Sequence, residues 1–217
     1  ARQYIEQMRF RLYIFDLDGT LLDTRRDLTT AVNEMLAVFG VKPKSLDEVV
    51  GYVGDGIRRL VERSIGVNSP DLERAEELFR EAYEAHLVDA TVPYPGVVET
   101  LQMLDRSHKA VFTNKSHRLS VRLLEELGIL HFFSVVVGGD SVKEKKPFPE
   151  GIEHILEKTG TRKEDAVMIG DNKNDVLSAQ KAGIASVFVT YGFSRLEHVL
   201  PHNPDYVIKS PGELLTL

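Results

Sequence analysis

The stretch LYIFDLDGT at residues 12–20 decides the fold class of this chain. Its first four residues are aliphatic or aromatic, with no charged side chain among them. An unbroken run of this kind is typical of a strand that is buried on both faces, as in a parallel sheet. The run ends at Asp16, and Gly19 allows the chain to turn tightly soon afterwards. We therefore predict a buried strand over residues 12–15 with carboxylates at its carboxyl end.

The rest of the chain repeats this pattern of apolar runs separated by helical segments. Further strands are predicted at residues 110–112, 135–137, 166–169, 185–189 and 206–208. Helices are predicted between them at residues 116–127, 149–158 and 174–182. Glycine follows or lies near the end of each of these helices, as is usual where a helix stops. Strands that alternate with helices predict an α/β fold with an open, doubly wound parallel sheet.

The segment between the first two strands has a different pattern. Residues 24–90 are predicted to be helical only, with a capping-box pattern at 45–48 and a second helix start at Ser69-Pro70. A segment of this length is too long for a loop. We therefore predict an inserted all-helical cap domain at 24–90, and a core domain formed by 1–23 and 91–217.

Composition narrows the functional class. The chain has 217 residues, no cysteine and a formal net charge of −6. Thiolate chemistry and disulfides are excluded, and an acidic chain is a poor match for nucleic acid as its main partner. No stretch resembles a membrane span or a secretory signal, so we expect no membrane partner and a cytoplasmic location, although the chain begins with Ala. The sequence leaves open whether the protein is a monomer or a homodimer.

Polar residues follow several of the predicted strands. In an open parallel sheet, ligands bind beyond the carboxyl ends of the strands, so these side chains are expected to share one crevice. They are Asp16, Asp18, Thr113, Asn114, Lys146, Asp171 and Asp175. Carboxylates suit Mg²⁺, which prefers oxygen ligands and often binds substrate phosphate oxygens as well. The set therefore predicts a Mg²⁺ site beside a phosphate site.

These residues also resemble the four sequence motifs of the haloacid dehalogenase superfamily. The resemblance lies in residues 16–20, in Thr113-Asn114, in Lys146-Pro147, and in residues 170–172 with Asp175. Their order, their spacing and the helical insert after the first motif are similar to the phosphatases with a helical cap. Within that group, the chain most resembles bacterial phosphoglycolate phosphatases.

The resemblance implies a role for each carboxylate. Asp16 would be the nucleophile that carries the phosphoryl group, and Asp18 would act as general acid and base. Asp16, Asp171 and the backbone carbonyl of Asp18 would bind the metal. Asp175, one helical turn after Asp171, would hold Lys146 or a metal-bound water in place.

The remaining implied roles concern the substrate. Lys146 would offset the negative charge of the phosphate, and Thr113 and Asn114 would donate hydrogen bonds to it. The segment 51–59 is the candidate cap loop that reaches the site, where Arg58 or backbone amides near Gly56 would bind a substrate carboxylate. A solvent-exposed helix surface is an equally good explanation of Arg58.

The implied activity is hydrolysis of a small phosphomonoester, 2-phosphoglycolate above all, to glycolate and phosphate. Inorganic pyrophosphatase and other sugar or metabolite phosphatases remain open as alternatives. A phosphomutase is disfavoured because the cap histidine that those enzymes share would fall at Leu28. Dehalogenases and phosphonatases do not use the second acid, which is present here as Asp18. An inactive phosphate-binding relative is disfavoured because every acid and the lysine are present.

Overall fold

The computed structural model describes residues 9–66 and 71–217, which form a six-stranded parallel sheet flanked by helices. A separate pair of short antiparallel strands lies beside it. The strands are β1 Leu12–Phe15, β2 Leu22–Asp23, β3 Val92–Pro93, β4 His108–Phe112, β5 Val135–Val137, β6 Ala166–Gly170, β7 Ala185–Val189 and β8 Tyr206–Ile208. The sheet has the strand order β5-β4-β1-β6-β7-β8. The predicted doubly wound parallel sheet is confirmed.

Burial along the strands explains why their sequences are unbroken apolar runs. Every residue of β1 and β6, the two central strands, is buried. The edge strands β5 and β8 each contain only one fully buried residue. Apolar residues on both faces of a central strand are needed because helices cover both sides of the sheet.

The helices among the described residues lie on the sheet and in the insert. They are α1 Arg25–Val38, α2 Leu46–Val50, α3 Ile57–Ile65, α4 Leu72–Ala85, α5 Val97–Met103, α6 His117–Glu126, α7 Glu150–Thr159, α8 Lys173–Ala182 and α9 Leu196–Val199. None of these is long and apolar enough to cross a membrane. Short 3₁₀ helices, the last at Pro211–Thr216, complete the chain.

The insert after β1 contains the first four helices, as the sequence predicts. Helix α1 packs against α4, and the Ser45–Glu48 capping box is present at the start of α2. The second predicted start signal, Ser69-Pro70, lies outside the described residues. The insert is thus helical, while its assignment as a separate domain with boundaries at 24 and 90 stays a prediction.

The two ends of the insert are joined by contacts that the sequence did not indicate. Strand β2, before the insert, pairs with β3, which follows it. Asp27, at the start of α1, accepts hydrogen bonds from the Ala90 amide at 3.0 Å, the Thr91 amide at 2.8 Å and the Thr91 hydroxyl at 2.6 Å. Asp27 is buried, so these donors stand in for water around its carboxylate.

We expect Asp27→Ala to lower the free energy of unfolding by about 2–4 kcal/mol, because it leaves the buried donors of Thr91 and the partly buried amide of Ala90 without an acceptor. The measurement is urea unfolding followed by circular dichroism. Glu34→Ala on the same helix is the control, since Glu34 is half exposed and, among the described residues, pairs with His86 alone. Its expected effect is below about 0.5 kcal/mol. Equal effects of the two changes would contradict this role of Asp27.

Candidate active site

The site lies beyond the carboxyl ends of three neighbouring strands. Asp16 follows β1, Thr113 follows β4, and Asp171 follows β6. Since β1 is placed between β4 and β6 in the sheet, Asp16 occupies the centre of this edge. Parallel strands therefore bring together side chains that are up to about 155 residues apart in the sequence. They meet at the carboxyl edge of the sheet, which is where such folds bind their ligands.

Lys146 lies between two of the carboxylates. Its Nζ is 2.8 Å from Asp16 Oδ1 and 2.6 Å from Asp175 Oδ1, and its side chain is buried. Burial alone would lower the pKa of Lys146, but the attraction of Asp16 and Asp175 outweighs it and raises that pKa. Lys146 is therefore a buried ammonium. Asp175 thus contacts Lys146 directly, which is one of the two contacts that the sequence resemblance implies for Asp175.

The second oxygen of Asp175 is also in use. Asp175 Oδ2 accepts a hydrogen bond of 2.9 Å from the Asn172 amide at the start of α8, while the Asn172 side chain accepts one from the Asn174 amide. Since one oxygen of Asp175 lies against the Lys146 ammonium, whose charge would repel a metal ion, Asp175 is a poorer candidate for a metal ligand than Asp171, whose oxygens accept, among the described residues, from neutral donors alone. Its position is consistent with that of a residue that orients Lys146.

Three buried carboxylates nevertheless lie close together. One oxygen each from Asp16, Asp171 and Asp175 falls within 4.8 Å of the others. Burial, only partly opposed by Lys146, and the nearby charge of Asp175 raise the pKa of Asp16 to about 7. Burial and the charges of Asp16 and Asp175 raise the pKa of Asp171 to about 8. A divalent cation would compensate this excess negative charge, so the donor set fits a metal.

Asp16 and Asp171 are the side chains that could hold such an ion. Asp171 accepts hydrogen bonds from the Thr20 hydroxyl at 3.2 Å and from the Phe193 amide at 2.7 Å, which fix the plane of its carboxylate. The second oxygen of Asp16, Oδ2, has no partner among the described residues, whereas Oδ1 is bound by the Leu17 amide and Lys146. One oxygen of the central carboxylate is therefore available for a ligand.

Two glycines make this close packing possible. A Cβ at Gly19, which has a φ of +82°, would lie 2.5 Å from Asp171 Oδ2. A Cβ at Gly170 would lie 2.1 Å from the carboxylate of Asp175. Both separations are too short for any side chain. The glycines of the first and fourth motifs thus leave space for the acidic residues.

Asp18 has different partners from Asp16, although it is only two residues away. Its Oδ1 accepts a hydrogen bond of 2.7 Å from the Thr24 hydroxyl and is 3.1 Å from Nζ of Lys115. Lys115 is a site residue that the sequence motifs did not indicate. It directly follows the Thr113-Asn114 motif, and that position was the one available signal.

The two residues of the second motif lie at the site but in different settings. Thr113 is buried and lines the cavity. Asn114 Nδ2 donates to the carbonyl of Gly54 at 2.8 Å and to that of Lys146 at 3.0 Å. A hydrogen bond from Asn114 to a phosphoryl group would therefore have to replace one of these contacts. In this structure, Asn114 joins the insert to the core.

The predicted cap loop at 51–59 does reach the site. Besides Asn114, two core side chains bind its tip: Asn174 Nδ2 donates to Asp55 Oδ1 at 2.9 Å, and Lys145 Nζ donates to the Asp55 carbonyl. Gly56 lines the cavity beneath this loop. The insert is thus held against the core at the site.

Arg58, the predicted binder of a substrate carboxylate, lies elsewhere. Its guanidinium is 3.6 Å from Glu62 and 3.5 Å from Glu76, and its side chain is 58% exposed. It is not among the described residues that line the cavity. The position of Arg58 fits the alternative that the sequence left open, a solvent-exposed helix surface.

The cavity itself lies between the core and the insert. Its polar wall includes Asp16, Asp18, Thr113 and Asp171 from the core, and its opposite wall is apolar, with Leu28, Val53, Ile57 and Leu60 from the insert. Such a cavity suits a small ligand with a polar reacting group, bound away from water. A parallel α/β core with an acidic, lysine-containing site beneath a helical insert defines the structural class.

Comparisons with known proteins agree with this class. The family model for haloacid dehalogenase-like hydrolases matches residues 13–189. Phosphoglycolate phosphatase 1 of Pseudomonas aeruginosa is 39% identical over 94% of this chain and 78% of its own length. Phosphoglycolate phosphatase of Neisseria meningitidis is also 39% identical, over 92% of this chain and 90% of its own. The crystal structure of a predicted phosphoglycolate phosphatase from Haemophilus somnus is 29% identical, with a TM-score of 0.91 over 97% of this chain and 98% of that one.

The chain belongs to the haloacid dehalogenase-like hydrolase family. The resemblance found in the sequence, including that to bacterial phosphoglycolate phosphatases, is confirmed. The prediction of an enzyme is confirmed as well, since the family is one of hydrolases. The roles of the individual site residues stay predictions.

Proposed function

We propose that this protein is a Mg²⁺-dependent phosphatase that hydrolyses 2-phosphoglycolate to glycolate and phosphate through an aspartyl-phosphate on Asp16. Relatives named phosphoglycolate phosphatase that align with more than nine-tenths of the chain support the reaction class. The observation that carries the mechanism is the separation of Asp16 and Asp18 into two environments. Asp16 pairs with Lys146 and Asp18 with Lys115, so adjacent carboxylates can take different roles.

In the first half of the reaction, one carboxylate oxygen of Asp16 attacks phosphorus, and the bond from phosphorus to the ester oxygen breaks. Asp18, in its protonated form, gives its proton to that oxygen as glycolate leaves. Lys146 stays beside Asp16 and offsets the negative charge that the two reacting anions bring together. Bound Mg²⁺, held by Asp16 and Asp171, would neutralise charge on the phosphoryl oxygens.

In the second half, Asp18 is a carboxylate and accepts a proton from water. The water oxygen bonds to phosphorus, the bond between phosphorus and Asp16 breaks, and phosphate is released. Asp16 returns to a carboxylate and Asp18 is again protonated, so no group is consumed. General acid and base help of this kind contributes about 100- to 10,000-fold. A phosphomutase remains disfavoured, because Leu28 in the cavity wall takes the position of the cap histidine that those enzymes share.

The raised pKa values of Asp16 and Asp171 predict how pH and Mg²⁺ affect stability. Without metal, the folded protein keeps protons on carboxyls of pKa about 7 and 8 that the unfolded chain loses near the ordinary value of 3.8. Stability of the metal-free protein therefore falls as pH rises from about 4 to about 8. Mg²⁺ should remove this loss. We expect the Mg²⁺-induced rise in melting temperature to be larger at about pH 8 than at about pH 6.

Differential scanning fluorimetry with and without Mg²⁺ measures this effect. Asp171→Asn is the control, because it removes one of the two proposed ligands and should shrink the Mg²⁺-induced rise at both pH values. A rise that is independent of pH, or one that survives unchanged in Asp171→Asn, would place the metal elsewhere.

Phosphate release from a panel of small substrates tests the proposed reaction. The panel holds 2-phosphoglycolate, pyrophosphate, sugar phosphates and nucleotides, each assayed with Mg²⁺ and with a chelator. We expect a strong preference for 2-phosphoglycolate that is lost on chelation. Preference for pyrophosphate or a sugar phosphate would overturn the substrate but keep the chemistry at Asp16. No release from any member would overturn the phosphatase itself.

A further inference from the structure

Lys115 is a buried cation that takes no direct part in the proposed reaction steps. Its Nζ donates a hydrogen bond of 2.7 Å to the Tyr83 hydroxyl and lies 3.1 Å from Asp18 Oδ1, and its side chain is 5% exposed. Nζ also lies 4.4 Å from the centre of the Tyr83 ring. Burial alone would lower the pKa of Lys115, but Asp18 and Tyr83 outweigh it and raise that pKa. Lys115 therefore remains an ammonium at neutral pH.

Other groups hold the remaining cations near the site. Lys146 is bound to Asp16 and Asp175, Lys145 donates to the Asp55 carbonyl, and Arg58 is bound to acidic residues of the insert. Among the described residues that line the cavity, Lys115 is the one with a cationic side chain. An anionic group on the leaving part of a substrate would find an apolar wall on the insert side and Lys115 beside Asp18.

The position next to Asp18 determines which substrates can use this cation. In the proposed reaction, Asp18 contacts the ester oxygen of the leaving group. In a phosphoester of an α-hydroxy acid, the carboxylate carbon is two bonds from that oxygen. An ammonium 3.1 Å from Asp18 Oδ1 is therefore within reach of such a carboxylate. An ammonium has three N–H donors, and the contacts to Tyr83 and Asp18 account for two of them.

We propose that Lys115 binds the carboxylate of the leaving group, and that Tyr83 of the insert holds the ammonium in position for it. The site thereby selects phosphoesters of small α-hydroxy acids over uncharged esters of the same length. Because Tyr83 belongs to α4 and Lys115 to the core, this contact forms only when the insert lies on the core. The inference rests on the proposed phosphatase activity and assigns the carboxylate to Lys115 in place of Arg58.

The test compares 2-phosphoglycolate with 2-hydroxyethyl phosphate, which has a hydroxymethyl group in place of the carboxylate. In Lys115→Met, we expect the ratio of kcat/KM for the first substrate to that for the second to fall about 100-fold, as for loss of a buried charge pair. Arg58→Met is the matched control and should leave the ratio within about 3-fold of the wild-type value. A ratio that is unchanged in Lys115→Met, whether activity on both substrates falls or persists, overturns the inference.

A second variant covers the case in which Lys115→Met does not fold. Tyr83→Phe removes only the hydroxyl that holds the ammonium and should lower the same ratio about 5-fold, as for one hydrogen bond. No change in that ratio would overturn the inference. Wild-type protein that hydrolyses both substrates equally well would overturn it too, but would leave the phosphatase activity standing. Wild-type protein that hydrolyses neither would overturn the proposed function with it.

Discussion

Asp16→Asn is expected to lower the rate of phosphate release by at least about 10⁴-fold, because an amide cannot attack phosphorus and no other carboxylate takes its position. Asp18 is bound to Thr24 and Lys115, and both oxygens of Asp175 are bound. The measurement is the initial rate of phosphate release from 2-phosphoglycolate at saturating Mg²⁺.

The fold should survive this change. Burial and neighbouring carboxylates raise the pKa of Asp16 to about 7, so ionised Asp16 weakens the metal-free protein above that pH. The amide of the variant carries no charge, and we expect the melting temperature at about pH 8 to be no lower than that of the wild type. Asp23→Asn, which affects a partly exposed carboxylate paired with Arg25, is the matched control and should change the rate by less than about 3-fold. An active Asp16→Asn variant would exclude the proposed mechanism.

Lys146→Met is expected to lower the free energy of unfolding of the metal-free protein by about 3–5 kcal/mol at about pH 8, because it leaves Asp16 and Asp175 buried without a cation. The loss should be smaller at about pH 6, where Asp16, whose pKa is raised to about 7, is largely protonated and carries less unpaired charge. We also expect phosphate release to fall at least about 100-fold, since the positive charge beside the nucleophile is gone. Urea unfolding at the two pH values and initial rates measure these effects.

The neighbouring residue gives the control for this prediction. Lys145→Met removes an ammonium that donates to the Asp55 carbonyl of the cap loop and does not touch Asp16. Its expected cost in stability is below about 1 kcal/mol. If Lys146→Met were as stable as the wild type at about pH 8, the ion pairs of Lys146 with Asp16 and Asp175 would not contribute to folding as the structure implies.

The sequence could predict the sheet because a strand buried on both faces leaves a strong pattern. Strand β1 agrees with its prediction at both ends, and β6 extends one residue beyond its predicted end, to Gly170. Parallel pairing also made the shared position of Asp16, Thr113 and Asp171 predictable, because such strands end at the same edge. Helix α5 and the short pair β2 and β3 were not predicted, since neither has a comparable run of buried residues.

The contacts that join the insert to the core could not be predicted in the same way. Lys115 and Tyr83 are 32 residues apart, and Asp27 and Thr91 are 64 apart, so no local spacing relates them. A lysine or aspartate in a helical or loop segment is usually exposed. Lys115 differs because it contacts Tyr83 of α4, and Asp27 differs because it accepts hydrogen bonds from residues 90 and 91. The sequence left Arg58 open as either a binder of the substrate carboxylate or part of an exposed helix surface, because it does not reveal that this guanidinium pairs with Glu62 and Glu76.

The central claim, a phosphoryl group carried on Asp16, is tested most directly by trapping it. Wild-type protein is mixed with 2-phosphoglycolate and Mg²⁺, quenched in acid within one turnover, and digested for peptide mass spectrometry. We predict a phosphate on the peptide that contains Asp16, absent from an Asp16→Asn sample treated identically. Phosphate release by the wild type with no phosphopeptide at any quench time, or with the phosphate on another residue, would contradict the mechanism.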